Sequence, residues 1–155
     1  MQDLDHQLIG VLNLLISAIL AAIPGIDREL RHRPAGLRTH IMVGISSTLM
    51  ATAAQITFSP DSAARLAAGI ITGIGFLGAG VIVQRKTHVH ELTTASSIWY
   101  VALMGIVVAY ELYVLALGAT LIVAFVLTIL RRIERNILNK HTPQELKEPS
   151  EHVNE

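Results

Sequence analysis

Residues 73–80 read "GIGFLGAG", a run in which every second or third residue is glycine. Gly73, Gly75 and Gly78 match G-x-G-x-x-G, a pattern that wraps a dinucleotide's pyrophosphate when it follows a strand and opens a helix. Here the glycines lie midway to late in an apolar run that no strand precedes, and no Gly-Lys-Ser/Thr follows. The sequence therefore predicts a glycine-rich membrane helix and not a nucleotide site.

The composition of the whole chain agrees with a membrane protein. Its 155 residues are 52% hydrophobic and 15% charged, and the mean hydropathy is +0.52. An ordinary soluble domain is less apolar and more charged. The formal net charge of zero gives no indication of nucleic-acid binding, and the lack of cysteine excludes disulfides and thiolate chemistry. The acidic N-terminus differs from a secretory signal, so we expect the first apolar run to be kept as an anchor.

Five apolar runs are long enough to cross a bilayer. They lie near residues 8–26, 41–58, 60–83, 92–110 and 112–130. The last two are together too long for one span, which predicts a tight turn at Tyr110 to Tyr113. Ser59 and Pro60 form a helix start signal for the third run. We predict an all-α, multi-pass transmembrane bundle with five spans and without an internal repeat.

The basic residues predict the orientation of these spans. One side carries Arg28, Arg31, Arg33, Arg38, Arg85, Lys86, Arg131, Arg132, Arg135, Lys140 and Lys147, and the other carries Arg65. The positive-inside rule then places the N-terminus outside and the C-terminus in the cytoplasm. Residues 131–155 are expected to form a cytoplasmic tail that is first basic, then polar and partly disordered.

Small residues occupy two faces of the third helix. One face holds Ala64, Ala68, Gly75, Gly78 and Ala79, and the opposite face holds Gly69, Gly73 and Gly80. Because small residues let membrane helices approach closely, we expect this helix to lie between others at the centre of the bundle. A glycine hinge, a polar path and self-association through a glycine face are the functional alternatives.

The connection "GIDRELRHRPAGLRTH", residues 25–40, mixes both charge signs directly after an apolar helix. Asp27 and Glu29 are expected to pair with Arg28 and Arg38. Pro34 and Gly36 predict a fixed bend. Thr39 is then a candidate cap for the second span.

Acidic residues predicted on the cytoplasmic side suggest a metal site. Asp27, Glu29 and Glu91 together offer the carboxylates that Mg²⁺ prefers. His88 and His90 with Glu91 also allow zinc or nickel. The spans have no Asp, Glu, Lys or Arg at mid-depth, which argues against a divalent-ion pathway through one chain. We expect a non-enzymatic protein that requires no cofactor and meets Mg²⁺ only as a ligand or substrate.

Three motifs resemble the MgtC/SapB family of bacterial inner-membrane proteins. They are "PAGLRTH" (34–40), "GIGFLGAG" (73–80) and "LTTASSIW" (92–99), and the resemblance covers roughly residues 25–105. It implies a small multi-pass protein linked to growth when magnesium is scarce and, in some pathogens, to survival inside phagocytes. Family members are often labelled magnesium transporters, and inhibition of the F-type ATP synthase is the competing role.

The resemblance also implies which positions carry the family signature. These are Glu29, Pro34, Gly36, Arg38, Thr39, His40, Gly73, Gly75, Phe76, Gly78, Gly80, Thr93, Thr94 and Trp99. The chain departs from the family pattern at Asp27, where Glu is usual, and at Glu91, where Gly is usual. Longer members have a soluble C-terminal domain, where this sequence has a short tail. The sequence favours a regulator that contacts other membrane proteins, with a Mg²⁺ transporter or channel as the alternative.

Overall fold

The computed structural model describes residues 2–85 and 88–133, which are almost entirely helical. The elements are α1 (Gln2–Leu30), α2 (Leu37–Thr57), α3 (Pro60–Val81), β1 (Val83–Arg85), β2 (His88–His90), α4 (Leu92–Ala109) and α5 (Tyr113–Phe125), followed by a π-helical turn (Val126–Leu130). The all-α prediction is confirmed, and each of the five predicted apolar runs overlaps one of the helices. The predicted basic and polar tail lies outside the described residues from position 134 onward.

In the described part of the chain, four helices are long and apolar enough to cross a membrane: Leu4–Leu30, Pro60–Val81, Leu92–Ala109 and Tyr113–Ile133. The second helix, α2, is not among the four, although its 21 residues give a length of about 31 Å. Polar residues such as Arg38, His40 and Gln55 lower its hydropathy. Several polar side chains of α2, such as His40 and Thr48, are buried against other helices. The mean hydropathy of α2 therefore underestimates how compatible this helix is with a bilayer.

Helix α2 lies at the centre of the bundle, packed along both α1 and α4. It buries His40, Ser47 and Thr48 against these neighbours. The apolar core around it consists of Leu20, Ala21, Ala35, Val43, Ile74, Ile98, Val101, Ala102, Met104, Val108 and Ala116. The bundle's centre therefore contains many small and polar side chains, as is usual where membrane helices pack closely.

A close helix crossing joins Gly44 of α2 to Gly105 of α4. A Cβ atom added to Gly105 would lie 2.6 Å from the carbonyl oxygen of Gly44. The Thr48 hydroxyl lies 3.0 Å from the Gly44 carbonyl oxygen and 2.9 Å from that of Gly105, and donates to both. Glycine is required at this crossing because the two backbones leave no space for a side chain.

Helix α3 is peripheral, so the prediction of a central third helix is wrong. Its buried residues are Ala63, Ile74 and Gly78. Added Cβ atoms at Gly69, Gly73, Gly75 and Gly80 would meet nothing within 4 Å. The many small residues of α3 indicated that other helices can approach it closely. Within this chain, however, α2 is the central helix, because its Gly44 and Thr48 contact α4.

Short connections fix the ends of the helices. Between α4 and α5 the chain turns at Tyr110 to Leu112, with Glu111 in the left-handed region at φ 59°. The turn predicted at Tyr110 to Tyr113 is therefore confirmed. Between α3 and α4 the strands β1 and β2 pair as an antiparallel hairpin, which the all-α prediction did not include.

Candidate functional site

A charged cavity lies at the end of the bundle where α1 ends, α4 begins and the π-helical turn ends. Its volume is about 310 Å³. The lining consists of Arg28, Arg33, Glu91, Thr93, Val126, Leu127, Leu130 and Arg131. The site thus brings the first and third connections together, as their shared predicted side requires.

Asp27, in the last turn of α1, forms ion pairs with Arg28 and Arg31. Its Oδ2 accepts hydrogen bonds from Nη2 of Arg28 at 2.6 Å and from Nε of Arg28 at 3.2 Å. Its Oδ1 accepts from Nε of Arg31 at 2.7 Å. The side chain of Arg28 is only 4% exposed, so this guanidinium is a buried cation held by an adjacent carboxylate. The predicted pairing of Asp27 with Arg28 is confirmed.

Glu91 joins the first connection to the start of α4. Its Oε1 accepts from Nη1 of Arg33 at 2.8 Å, and its Oε2 accepts from the Thr94 hydroxyl at 2.6 Å. The Thr94 hydrogen bond and the positive charge of Arg33 hold the pKa of Glu91 below its ordinary value, against the opposing effect of burial. Glu91 therefore stays ionised at neutral pH. Its ion pair with Arg33 joins two residues that are 58 positions apart in the sequence.

Glu29 stabilises the start of α2. Its Oε2 accepts the backbone N–H of Leu37 at 3.0 Å, which satisfies one of the donors that a helix N-terminus leaves free. A Cβ added at Gly36 would collide with the Glu29 carboxylate, so a side chain there would push this carboxylate away from the helix start. The prediction that Thr39 caps this helix is wrong: α2 begins at Leu37, so Thr39 lies inside its first turn. Glu29 also does not form the expected pair with Arg38 among the described ion pairs.

His40 fastens α2 to α4 inside the same end of the bundle. The ring is fully buried. Its Nδ1–H donates to the Gly36 carbonyl at 2.8 Å, and Nε2 lies 2.9 Å from the Ser97 hydroxyl. Ser97 is in turn within 2.8 Å of the Thr94 carbonyl. His40 is therefore a structural residue that holds two helix starts together.

The three acids proposed as magnesium ligands have separate partners. Asp27 binds arginines of its own helix end, Glu29 caps α2, and Glu91 binds Arg33 and Thr94. Among residues 2–85 and 88–133, no group of three His, Asp or Glu side chains is placed to hold a metal ion. The side chain of His88, proposed with His90 for zinc or nickel, lies outside the described part of the structure.

Comparison with known proteins gives the family. The model described as the MgtC family matches residues 14–136. The chain belongs to the MgtC family. Protein MgtC of Salmonella typhimurium (strain LT2) is 39% identical over 127 residues, which are 82% of this chain and 54% of that protein. The chain therefore spans about half the length of this relative.

Two further relatives of the MgtC-family chain are similar over most of it. The putative magnesium transporter YhiD of Escherichia coli (strain K12) is 31% identical over 139 residues, 84% of this chain and 65% of that protein. Protein MgtC of Brucella abortus (strain 2308) is 35% identical over 113 residues, 73% of this chain and 48% of that protein. No solved structure is a significant match. With its apolar helices, this MgtC-family chain is a multi-pass membrane protein.

The three motifs that suggested the MgtC family meet at the start of α4. "PAGLRTH" reaches it through the contact of His40 with Ser97, and "GIGFLGAG" through Gly78, whose added Cβ would lie 3.8 Å from the Ala95 Cβ. Other residues of the glycine motif point away: Phe76 is 82% exposed. The sequence indicated Arg33 and Arg131 only as markers of orientation and not as residues of a site. Their position beside apolar helices on the predicted cytoplasmic side was the available signal.

Proposed function

We propose that this protein is a non-enzymatic regulator of magnesium homeostasis or low-magnesium adaptation in the bacterial inner membrane. The name of the Escherichia coli relative, putative magnesium transporter YhiD, supports magnesium as the physiological context. The observation that carries a regulatory role is the outer face of α3. This helix has open space at four glycines and presents Phe76, 82% exposed. Such a face suits close contact with a helix of another membrane protein.

The charge arrangement favours regulation over conduction. A divalent cation entering from the cytoplasm would meet carboxylates, and in the described part of the predicted cytoplasmic side these are Asp27, Glu29 and Glu91. Two of them already bind arginines and the third caps α2. A cation would have to displace these partners, which costs several charge-assisted hydrogen bonds.

We further propose that all five helices cross the membrane, with the N-terminus outside and the C-terminus in the cytoplasm. Helix α2 supports this count because its first turn contacts the end of α1 through Glu29, and its last turns reach the start of α1. There Gln55 and Thr52 line a second cavity together with His6 of α1 and Glu111. Helix α2 therefore runs alongside most of α1.

The proposed partner is a membrane protein, with the F-type ATP synthase as the first candidate. A photo-crosslinking amino acid at Phe76 in living cells tests this proposal, with the same substitution at Phe125 as the control. Phe125 is 57% exposed at the end of α5, and like Phe76 it lies in the half of its helix nearer the charged cavity. Specific crosslinks to an ATP synthase subunit from position 76 support the proposal. Equal or absent crosslinking at both positions under low magnesium would contradict it.

Transport of Mg²⁺ is the alternative, and the name of the Escherichia coli relative favours it. Liposomes that contain a magnesium-sensitive dye and the purified protein measure flux directly. The matched variant carries Asp27→Asn, Glu29→Gln and Glu91→Gln. Regulation predicts no influx above that of empty vesicles from folded protein. Influx that the triple variant loses would replace regulation by transport and place the entrance at these acids.

A further inference from the structure

We infer that the cavity between α1, α4 and the π-helical turn is an anion site that takes a phosphate group. This inference does not depend on the proposed function. Three arginines, Arg28, Arg33 and Arg131, line the cavity with one carboxylate, Glu91. Its lining is therefore net positive, the opposite of what a magnesium site needs.

The arginines retain donors that their carboxylate partners do not use. Arg28 directs Nε and Nη2 to the same oxygen of Asp27, although a guanidinium has five N–H donors. Arg33 uses Nη1 for Glu91, and its buried Nε has no hydrogen-bond partner in the described structure. A buried unpaired donor is costly, and a phosphate oxygen is a partner that guanidinium groups bind with two parallel bonds.

The start of α4 adds a second source of positive potential. Thr93, in the first turn of this 18-residue helix, lines the cavity. The N-cap residue Glu91 makes no side-chain hydrogen bond to the backbone of the first turn, because its carboxylate is directed to Arg33 and to the Thr94 hydroxyl. The free N–H groups and the helix dipole at such an end favour an anion.

The remaining wall of the cavity is apolar. Val126, Leu127 and Leu130 line it, and all three belong to the π-helical turn. Such turns are rare and frequently lie at functional sites. The cavity thus combines charged residues with apolar ones. This combination suits a phosphate group that is either free or the headgroup of a phospholipid. The volume of about 310 Å³ lies at the lower end of ordinary ligand sites.

Two titrations of the full-length protein in maltoside micelles test the site and separate the two sources. Inorganic phosphate is titrated while the thermal unfolding midpoint is recorded, and phosphatidic acid is titrated while bound lipid is counted by native mass spectrometry. Saturable stabilisation by inorganic phosphate identifies a free anion as the ligand. Retention of phosphatidic acid without a response to inorganic phosphate identifies a headgroup.

Matched arginine variants make the result specific. Arg131→Gln removes one cavity guanidinium and is expected to weaken binding of the responding probe about tenfold or more. Arg65→Gln is the control, since Arg65 lies at the start of α3 and binds the Ser62 hydroxyl in an exposed position. If Arg131→Gln does not fold, Arg33→Gln replaces it. Binding of neither probe, or equal weakening in the cavity variant and in Arg65→Gln, overturns the inference.

Discussion

Replacement of Gly105 by alanine should destabilise the bundle, although the same replacement favours an isolated helix. The added Cβ would lie 2.6 Å from the Gly44 carbonyl oxygen and 3.0 Å from both the Ser47 Cβ and the Thr48 hydroxyl. The nearest of these atoms belongs to the backbone of α2, so α2 and α4 must move apart. Overpacking of this kind costs about 1–3 kcal/mol, and the separation also weakens the hydrogen bond from Thr48 to Gly105.

The matched control is Gly75→Ala in α3, where an added Cβ would meet nothing within 4 Å. Here the lower backbone entropy of alanine should stabilise the helix by about 0.5–1 kcal/mol. The two substitutions are chemically identical and should change stability in opposite directions. Unfolding of both variants in mixed maltoside–dodecyl sulfate micelles, followed by circular dichroism, measures the difference. Equal stability of the two variants would refute the close crossing of α2 and α4.

Three further substitutions test other contacts. Glu91→Gln should abolish an acid-sensitive part of the stability: the lowered pKa of Glu91 makes its contribution complete above the ordinary value of 4.5 and lost as the pH falls through the lowered value. Unfolding of both proteins between about pH 3 and pH 7 checks this, and parallel curves would contradict it. Tyr113→Phe should cost about 1 kcal/mol, because it leaves buried Asn13 without the 2.7 Å hydrogen bond from the tyrosine hydroxyl; unchanged unfolding in micelles would count against that bond. Thr48→Val should cost about 1 kcal/mol by removing the donor to two helix carbonyls, and the control is Thr72→Val, whose exposed hydroxyl bonds only within α3.

The helices were predictable because their signals are local. Apolar length located all five, and Ser59 with Pro60 located the start of α3, which begins at Pro60. The turn around Glu111 followed from the excess length of the last apolar region. Such signals depend on a few neighbouring residues, so one sequence is enough to recognise them.

Helix order and the site were not predictable in the same way. Glycine content suggested α3 as the central helix, but a glycine shows only that close approach is sterically allowed. Which helix approaches a given glycine, as α2 approaches Gly105 at Gly44, depends on residues far away in the sequence. The prediction of a cation site also depended on non-local contacts. The sequence shows Asp27 and Glu91, but it does not show that their carboxylate oxygens accept hydrogen bonds from arginines.

The turn at Tyr110 to Leu112 has a consequence for the biogenesis of the protein. Three residues span at most about 10 Å, roughly the width of one helix. The turn is closed by backbone bonds from Glu111 to Val108 and from Leu112 to Val107. Helices α4 and α5 are therefore tied together as a helical hairpin, and we expect them to enter the bilayer together.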